Sequence, residues 1–144
     1  MKSTMRNQFT GVIKSVDVAP VTAQVVIALS AGPEIVATMT RSSAERLKLK
    51  SGVPAIALIK APSIALVTDL GGYVLSARNQ FAGTVSQVER GSVNSKVVLS
   101  VPGGIAFTCS VTNDAVEELG LKPGSAATAV FKAYSVMVAV KPST

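Results

Sequence analysis

The sequence predicts a mainly β protein made of two similar tandem domains, each of about five short strands with one short helix. Three observations lead there: a tetrapeptide that occurs twice, a register of identities that extends it along the chain, and short β-branched runs punctuated by Gly and Pro. Arg6-Asn7-Gln8-Phe9 returns unchanged as Arg78-Asn79-Gln80-Phe81, seventy-two positions later in a chain of 144 residues. The same offset pairs Gly11/Gly83, Val25/Val97, Gly32/Gly104, Thr40/Thr112, Glu45/Glu117, Gly52/Gly124, Lys60/Lys132 and Ser63/Ser135. About 21 of the 72 pairs are identical, and many of the others exchange one apolar residue for another, which marks a tandem duplication. It divides the chain into residues 1–70 and 71–144, with a joint near Asp69-Leu70-Gly71-Gly72.

Within the first copy, Phe9 to Val18 reads as a strand with Gly11 near its start, and Gly inside a strand marks a bulge or a close backbone approach. Ala19-Pro20-Val21-Thr22 is a turn, and Ala23 to Leu29 is a second strand rich in β-branched residues. Ala31-Gly32-Pro33-Glu34 turns into a third strand, Ile35 to Thr40; its counterpart is Pro102-Gly103-Gly104 before Ile105 to Thr112. Ser42-Ser43-Ala44-Glu45 fits a capping box, with Ser42 as the cap and Glu45 reaching back to its amide. Asp114-Ala115-Val116-Glu117 repeats the pattern with a different cap residue, and Lys50-Ser51-Gly52 or Lys122-Pro123-Gly124 is the expected stop. Ala55 to Lys60 and Ile64 to Thr68 complete the set as strands separated by a kink at Ala61-Pro62-Ser63. Five short strands with curling glycines and a helix between the third and fourth favour a small OB-like Greek-key barrel in each half.

Composition narrows the chemistry. Units of about 70 residues make marginal cores alone. An apolar content of 48% with only 4% aromatic residues therefore suggests burial of one unit against another and an oligomer. There is no histidine, so a Ser–His–Asp or Cys–His nucleophile is ruled out, and eight carboxylates in no ligand spacing give no zinc site. No Gly-rich phosphate or dinucleotide loop occurs. Cys109 has Ala37 as its repeat partner and reads as a small core residue in a reducing compartment. The N-terminal residues carry no apolar signal segment, and the most apolar window, residues 53–68, is short and interrupted by Lys60 and two prolines. The expectation is a soluble cytoplasmic protein that stands alone, without catalysis and without a cofactor. The net charge of +6 favours anionic partners.

What the duplication retains is a set of cations beside hydroxyls. Thr4-Met5-Arg6 becomes Ser76-Ala77-Arg78, Lys60-Ala61-Pro62-Ser63 becomes Lys132-Ala133-Tyr134-Ser135, and Thr40 and Thr112 precede the helix. A tetrahedral oxyanion needs such a kit: a guanidinium fork, a point charge, hydroxyl donors and free amides. Each residue has a plainer role open to it: Arg6 as a surface charge tying down a strand end, Lys60 as a solvated charge, Ser42 as a cap alone. For Asn7 and Gln8 the favoured role is that of buried amides holding the strand turn.

The motif [Ser/Thr]-x-Arg-Asn-Gln-Phe-x-Gly, with Lys-Ala-x-Ser some fifty residues on, resembles the molbindin (Mop) family and its TOBE domain, and two copies resemble the di-Mop molbindins. The resemblance implies an OB-like barrel in each half, assembly as a homotrimer, and binding and storage of molybdate or tungstate at interfaces between units. It implies oxyanion contacts from Thr4, Arg6, Thr40, Ser43, Lys60 and Ser63 in the first half. In the second half they fall on Ser76, Arg78, Thr112, Lys132 and Ser135, while Ala115 replaces the hydroxyl of Ser43 and Asp114 adds a negative charge. The molybdenum would be bound only as its oxyanion, never as a metal ion. The resemblance also implies a second kind of anion site, towards the symmetry axis, where the turns Pro20-Val21-Thr22 and Ser92-Val93-Asn94 could offer amides. The alternative reading is a basic OB-like module for single-stranded nucleic acid, which would need stacking aromatics. The residues available are Phe9, Phe81, Phe107, Phe131, Tyr73 and Tyr134, and the repeated Phe9 and Phe81 look like core, so neither nucleic acid nor a membrane is expected as a partner.

Overall fold

The computed structural model describes residues 1–142. The first half supplies β1 (Asn7–Val18), β2 (Thr22–Leu29), β3 (Glu34–Thr40), helix α1 (Arg41–Arg46), β4 (Pro54–Ile59) and β5 (Ala65–Val67). The second half repeats them as β6 (Asn79–Arg90), β7 (Asn94–Val101), β8 (Ile105–Thr112), helix α2 (Asn113–Leu119), β9 (Ala126–Phe131) and β10 (Met137–Ala139). The predicted strands fall within two residues of these bounds. The kinks at Ala61–Ser63 and Ala133–Ser135 are single 3₁₀ turns.

Two five-stranded antiparallel sheets result, but neither is made by one half of the chain alone. The orders are β10-β4-β1-β2-β3 and β5-β9-β6-β7-β8, so each half lends its last strand to the other. Ala65, Leu66 and Val67 pair with Val130, Ala129 and Thr128, while Met137, Val138 and Ala139 pair with Leu58, Ala57 and Ile56. The expected five strands per unit are present, with the fifth exchanged. Each sheet curls into a half-barrel whose hydrogen-bonded order is open at both ends among the described residues. The 3₁₀ turns carry the chain off its own sheet and onto the neighbour.

Both halves bury their apolar faces in one core. Ile13, Ile27, Ile35 and Ile59 of the first half join Val85, Leu99, Phe107 and Phe131 of the second in a single cluster. Phe107 lies 5.2 Å from Phe9 in an edge-to-face contact and 5.1 Å from Phe81, so the rings cross the boundary between halves. Gly11 and Gly83 permit the curl. A methyl group on either would run into a backbone carbonyl of the adjoining strand, that of Ala28 or of Ser100. The bulges themselves come later, between Ile13 and Ser15 and between Val85 and Gln87.

The two asparagines of the repeated tetrapeptide fasten one half to the other. Asn79 is 1% exposed; its Oδ1 accepts from the Val36 amide and its Nδ2 donates to the Val36 carbonyl, both at 2.8 Å. Asn7 does the same to Thr108 at 2.8 Å in each direction, and its Nδ2 also donates to the Ile59 carbonyl at 3.2 Å. A primary carboxamide presents one donor and one acceptor side by side, matching the N–H and C=O that one residue of an extended strand turns to the same edge, so each asparagine acts as one extra rung on the partner sheet's edge. The neighbouring Gln8 and Gln80 donate to the Met5 and Ala77 carbonyls and hold the approach to the strand. Buried amides were the favoured reading for Asn7 and Gln8; Asn7 is buried, while Gln8 is half-buried and its counterpart Gln80 exposed, and the reach of the asparagines across the halves was not foreseen.

The helix caps differ from expectation. Thr40, extended at φ −68 and ψ 149, accepts from the Ser43 amide, and Thr112 accepts from the Ala115 amide, so neither Ser42 nor Asp114 is the cap. Each helix begins one residue after its strand ends, which puts the strand's terminal hydroxyl in the capping place. Glu45 pairs with Arg41 at 2.7 Å and Glu117 with Arg90 at 2.8 Å, so neither closes a capping box. The helices also stop sooner: α2 ends at Gly120 with φ 63, and α1 unwinds through Lys48 at φ 54, before the expected Gly124 and Gly52.

Asn79→Ala would leave the half-buried Val36 N–H and C=O without their side-chain partner. Each orphaned group costs ~1–3 kcal/mol, so the unfolding free energy should fall by about 2–5 kcal/mol in urea titration.

Candidate functional site

The exchange decides what the repeated cations face. Arg78 precedes β6 at the margin of the second half, yet its Nη1 donates to Gln24 Oε1 of β2 in the first half at 2.7 Å. Gln24 lies directly opposite Thr38 on β3. Arg78, Ser76 and Lys132 then line a cleft of about 250 Å³ with Thr38 and Tyr134. This cleft brings together two cations and three hydroxyls, drawn from both halves, and no carboxylate is among its lining residues.

Arg6 occupies the related position against the second half. A cleft of about 420 Å³ is lined by Arg6 and Ala61 on one side and by Lys96, Arg90 and Ser110 on the other. Lys96 and Ser110 are opposite one another across β7 and β8, as Gln24 and Thr38 are across β2 and β3. Here Arg6 turns back on its own chain, donating from Nε to the Thr4 carbonyl at 3.0 Å and from Nη2 to the Ser3 carbonyl at 2.6 Å. Glu89 also lines this cleft and lies 3.6 Å from Lys96.

Of the residues singled out in the sequence, Ser76, Arg78 and Lys132 thus share one cleft and Arg6 lines the other. Lys60 stands beside the lining residue Ala61 at the head of its 3₁₀ turn and is exposed. The amides of Ser63 and Ser135 donate to the carbonyls of Lys60 and Lys132 at 3.0 Å, which sets the spacing of the repeated Lys-Ala-x-Ser motif. Thr40 donates to Ser43 Oγ at 2.9 Å, gathering these two hydroxyls at the start of α1. Thr40 follows Thr38 on the same face of β3, and Thr112 follows Ser110 on β8. Thr4 contributes its carbonyl to Arg6. Thr4, Thr40, Ser43, Ser63, Thr112 and Ser135 line neither cleft. The motif members grouped by half in the sequence are therefore regrouped across halves, cation of one against hydroxyl strand of the other.

Thr38, Ser110, Gln24 and Lys96 were missed. Thr38 and Ser110 did carry a signal, a hydroxyl conserved in kind between the two copies of the third strand. Nothing in the sequence tied them to Arg78 and Arg6.

Cys109 lies beneath the Arg6 cleft and is fully buried. Burial pushes its thiol up to about 12, away from the thiolate that could attack or ligate. Among the described residues no group of three or more His, Cys, Asp or Glu converges as a metal site. No helix among them is long and apolar enough to cross a membrane.

The TOBE domain model matches residues 3–66 and 75–138. The molybdenum transport protein ModE of Herbaspirillum seropedicae is 60% identical over 98% of this chain, which spans about half, 52%, of that relative's length. Molybdenum-pterin-binding protein 2 of Clostridium pasteurianum is 45% identical over 44% of this chain and 94% of its own. A crystal structure of the cytoplasmic molybdate-binding protein ModG with molybdate bound aligns with a TM-score of 0.94 at 45% identity. It covers 98% of this chain and 100% of the other.

The buried thiol makes a prediction. Cys109 holds its proton in the folded state from about 9 to about 12, a range in which the unfolded chain has lost it. Its contribution to stability is therefore complete below about pH 9 and lost as the pH rises towards 12. Native protein at pH 8 should resist iodoacetamide and become alkylated at Cys109 only when unfolded; rapid native alkylation would contradict the burial.

Proposed function

The chain belongs to the TOBE-domain molbindins, in the tandem form with two domains, and from that premise we propose that it binds molybdate or tungstate reversibly as a cytoplasmic store. The observation that carries this reading is the cleft in which Ser76, Arg78 and Lys132 of one half face Thr38 of the other. A tetrahedral dianion presents four oxygens that accept hydrogen bonds and none that donates. A lining of guanidinium, ammonium and hydroxyls with no carboxylate suits it. The binding is non-catalytic: the anion exchanges water for charge-assisted hydrogen bonds, with no bond from protein to molybdenum and no change of oxidation state. Thr40 and Ser43, next along β3 and α1, extend the hydroxyl side of the Arg78 cleft. Thr112 does so for the Arg6 cleft, with Lys60, Ser63 and Thr4 on its cationic side. Lys132 and Ser135 play the matching part beside Arg78.

The two domains occupy residues 1–70 and 71–144 of the sequence, with their fifth strands exchanged. Assembly as a homotrimer, with sites between units, is part of this reading. It is supported by exposed apolar residues such as Val21, Val93 and Val74, the last 95% exposed. A nucleic-acid platform has less support. The four phenylalanines pack together, and the exposed rings among the described residues are Tyr73 and Tyr134.

Calorimetric titration with molybdate in excess sulfate tests the reading directly: multi-site heat that survives sulfate supports it, and no heat overturns it. Arg78→Ala should weaken one class of site by about tenfold or more, the factor for a lost charge-assisted contact, with the assembly mass unchanged. At a hundredfold excess over the dissociation constant, molybdate should stabilise the native protein by about 2.7 kcal/mol, seen as a raised melting temperature.

A further inference from the structure

The two clefts occupy equivalent places in the duplication, but the residues facing the arginines differ. Gln24 lies across from Arg78, and the residue at the same position in the second copy is Lys96, which lines the Arg6 cleft. A glutamine carries an acceptor and a donor. Its Oε1 takes one guanidinium N–H at 2.7 Å, which fixes the fork before any ligand arrives. A lysine carries donors only, so it has nothing to offer Arg6, and like charge disfavours an approach. Arg6 accordingly donates to the Ser3 and Thr4 carbonyls. Lys96 has Glu89 as its ion-pair partner at the long distance of 3.6 Å, and Arg90 is engaged by Glu117 at 2.8 Å. The second cleft is also the larger, about 420 Å³ against about 250 Å³.

We propose that the two clefts are inequivalent and that Lys96 is an additional anion-binding residue of the Arg6 cleft, making that cleft the one that selects its oxoanion by charge. The Arg78 cleft, with its guanidinium held by Gln24, selects more by hydrogen-bond geometry. This rests on the oxyanion-binding reading above and deepens it. A multiply charged tetrahedral oxoanion relieves the repulsion between Arg6 and Lys96 as it binds, and an anion of the same shape with one charge relieves less of it. Neither Lys96 nor Gln24 belongs to the repeated motif, so the selectivity resides in residues where the two copies have diverged.

The test uses two tetrahedral anions of similar size, molybdate with two charges and perrhenate with one, titrated calorimetrically into the full chain. An Arg78→Ala background isolates the Arg6 cleft. There, Lys96→Gln should weaken molybdate about tenfold while changing perrhenate much less, and it should flatten the dependence on chloride concentration. Lys96→Arg should restore the preference. In the complementary Arg6→Ala background, Gln24→Lys should raise the molybdate-to-perrhenate ratio of the remaining cleft. Equal loss of both anions on Lys96→Gln, or no loss of either, overturns the inference while leaving the oxyanion reading in place. No molybdate binding by the unaltered protein overturns both.

Discussion

Each half of this chain leaves one strand edge and part of an apolar face that only the other half completes. β4 and β9 are central strands because β10 and β5 cross over to flank them. The crossing strands are three residues long, too short to hold two bodies together by ladder hydrogen bonds alone. The buried asparagines supply what the short strands lack. Asn7 and Asn79 each pair with the backbone N–H and C=O of one residue in the opposite half, Thr108 and Val36, and the phenylalanine cluster fills the space behind them. A domain of about 70 residues that is marginal alone becomes part of a single core of twice the size. The clefts exist only because of this arrangement, since each draws its arginine from one half and its hydroxyl strand from the other.

Much of the fold was legible because duplication supplies an internal control. A β-branched run or a turn glycine that recurs at the same offset is a structural requirement met twice, and the strand bounds came out close for that reason. The exchange was not legible, for a reason the duplication itself creates. Leu66 and Val67 find Ala129 and Thr128 on β9, but the same-half residues Ala57 and Ile56 on β4 present an equivalent apolar edge. Pairing within a half and pairing across halves therefore look alike in sequence. The caps misled for a local reason. Ser42 and Glu45 match the spacing of a capping box, but Thr40 has the extended backbone a cap needs, and its hydroxyl is the one in reach of an orphaned amide.

The site was legible on one side only. Arg78, Ser76 and Lys132 stand in a motif contiguous enough to read, and their recurrence in register marked them. The residues facing them, Thr38 and Gln24 in one cleft and Ser110 and Lys96 in the other, sit in ordinary alternating strands. They come to face the arginines solely through the exchange and the strand register. Because the pairs divide between halves, each copy of the duplication contributes to both clefts. A change in one copy's third strand is felt by the arginine of the other, which lets the two sites diverge without either domain losing its frame.

The position of β10 also bears on how the molecule is made. Met137–Ala139 complete a sheet whose other strands all lie before residue 60. A nascent chain emerging from the ribosome can have displayed the whole of the first half and still lack the strand that closes its edge. The second half meets no such delay, because β5 is already outside when β9 appears. The first-made domain is therefore the last to be finished. Its β4 edge stays open to pairing with other nascent copies until almost the whole described chain has been synthesised.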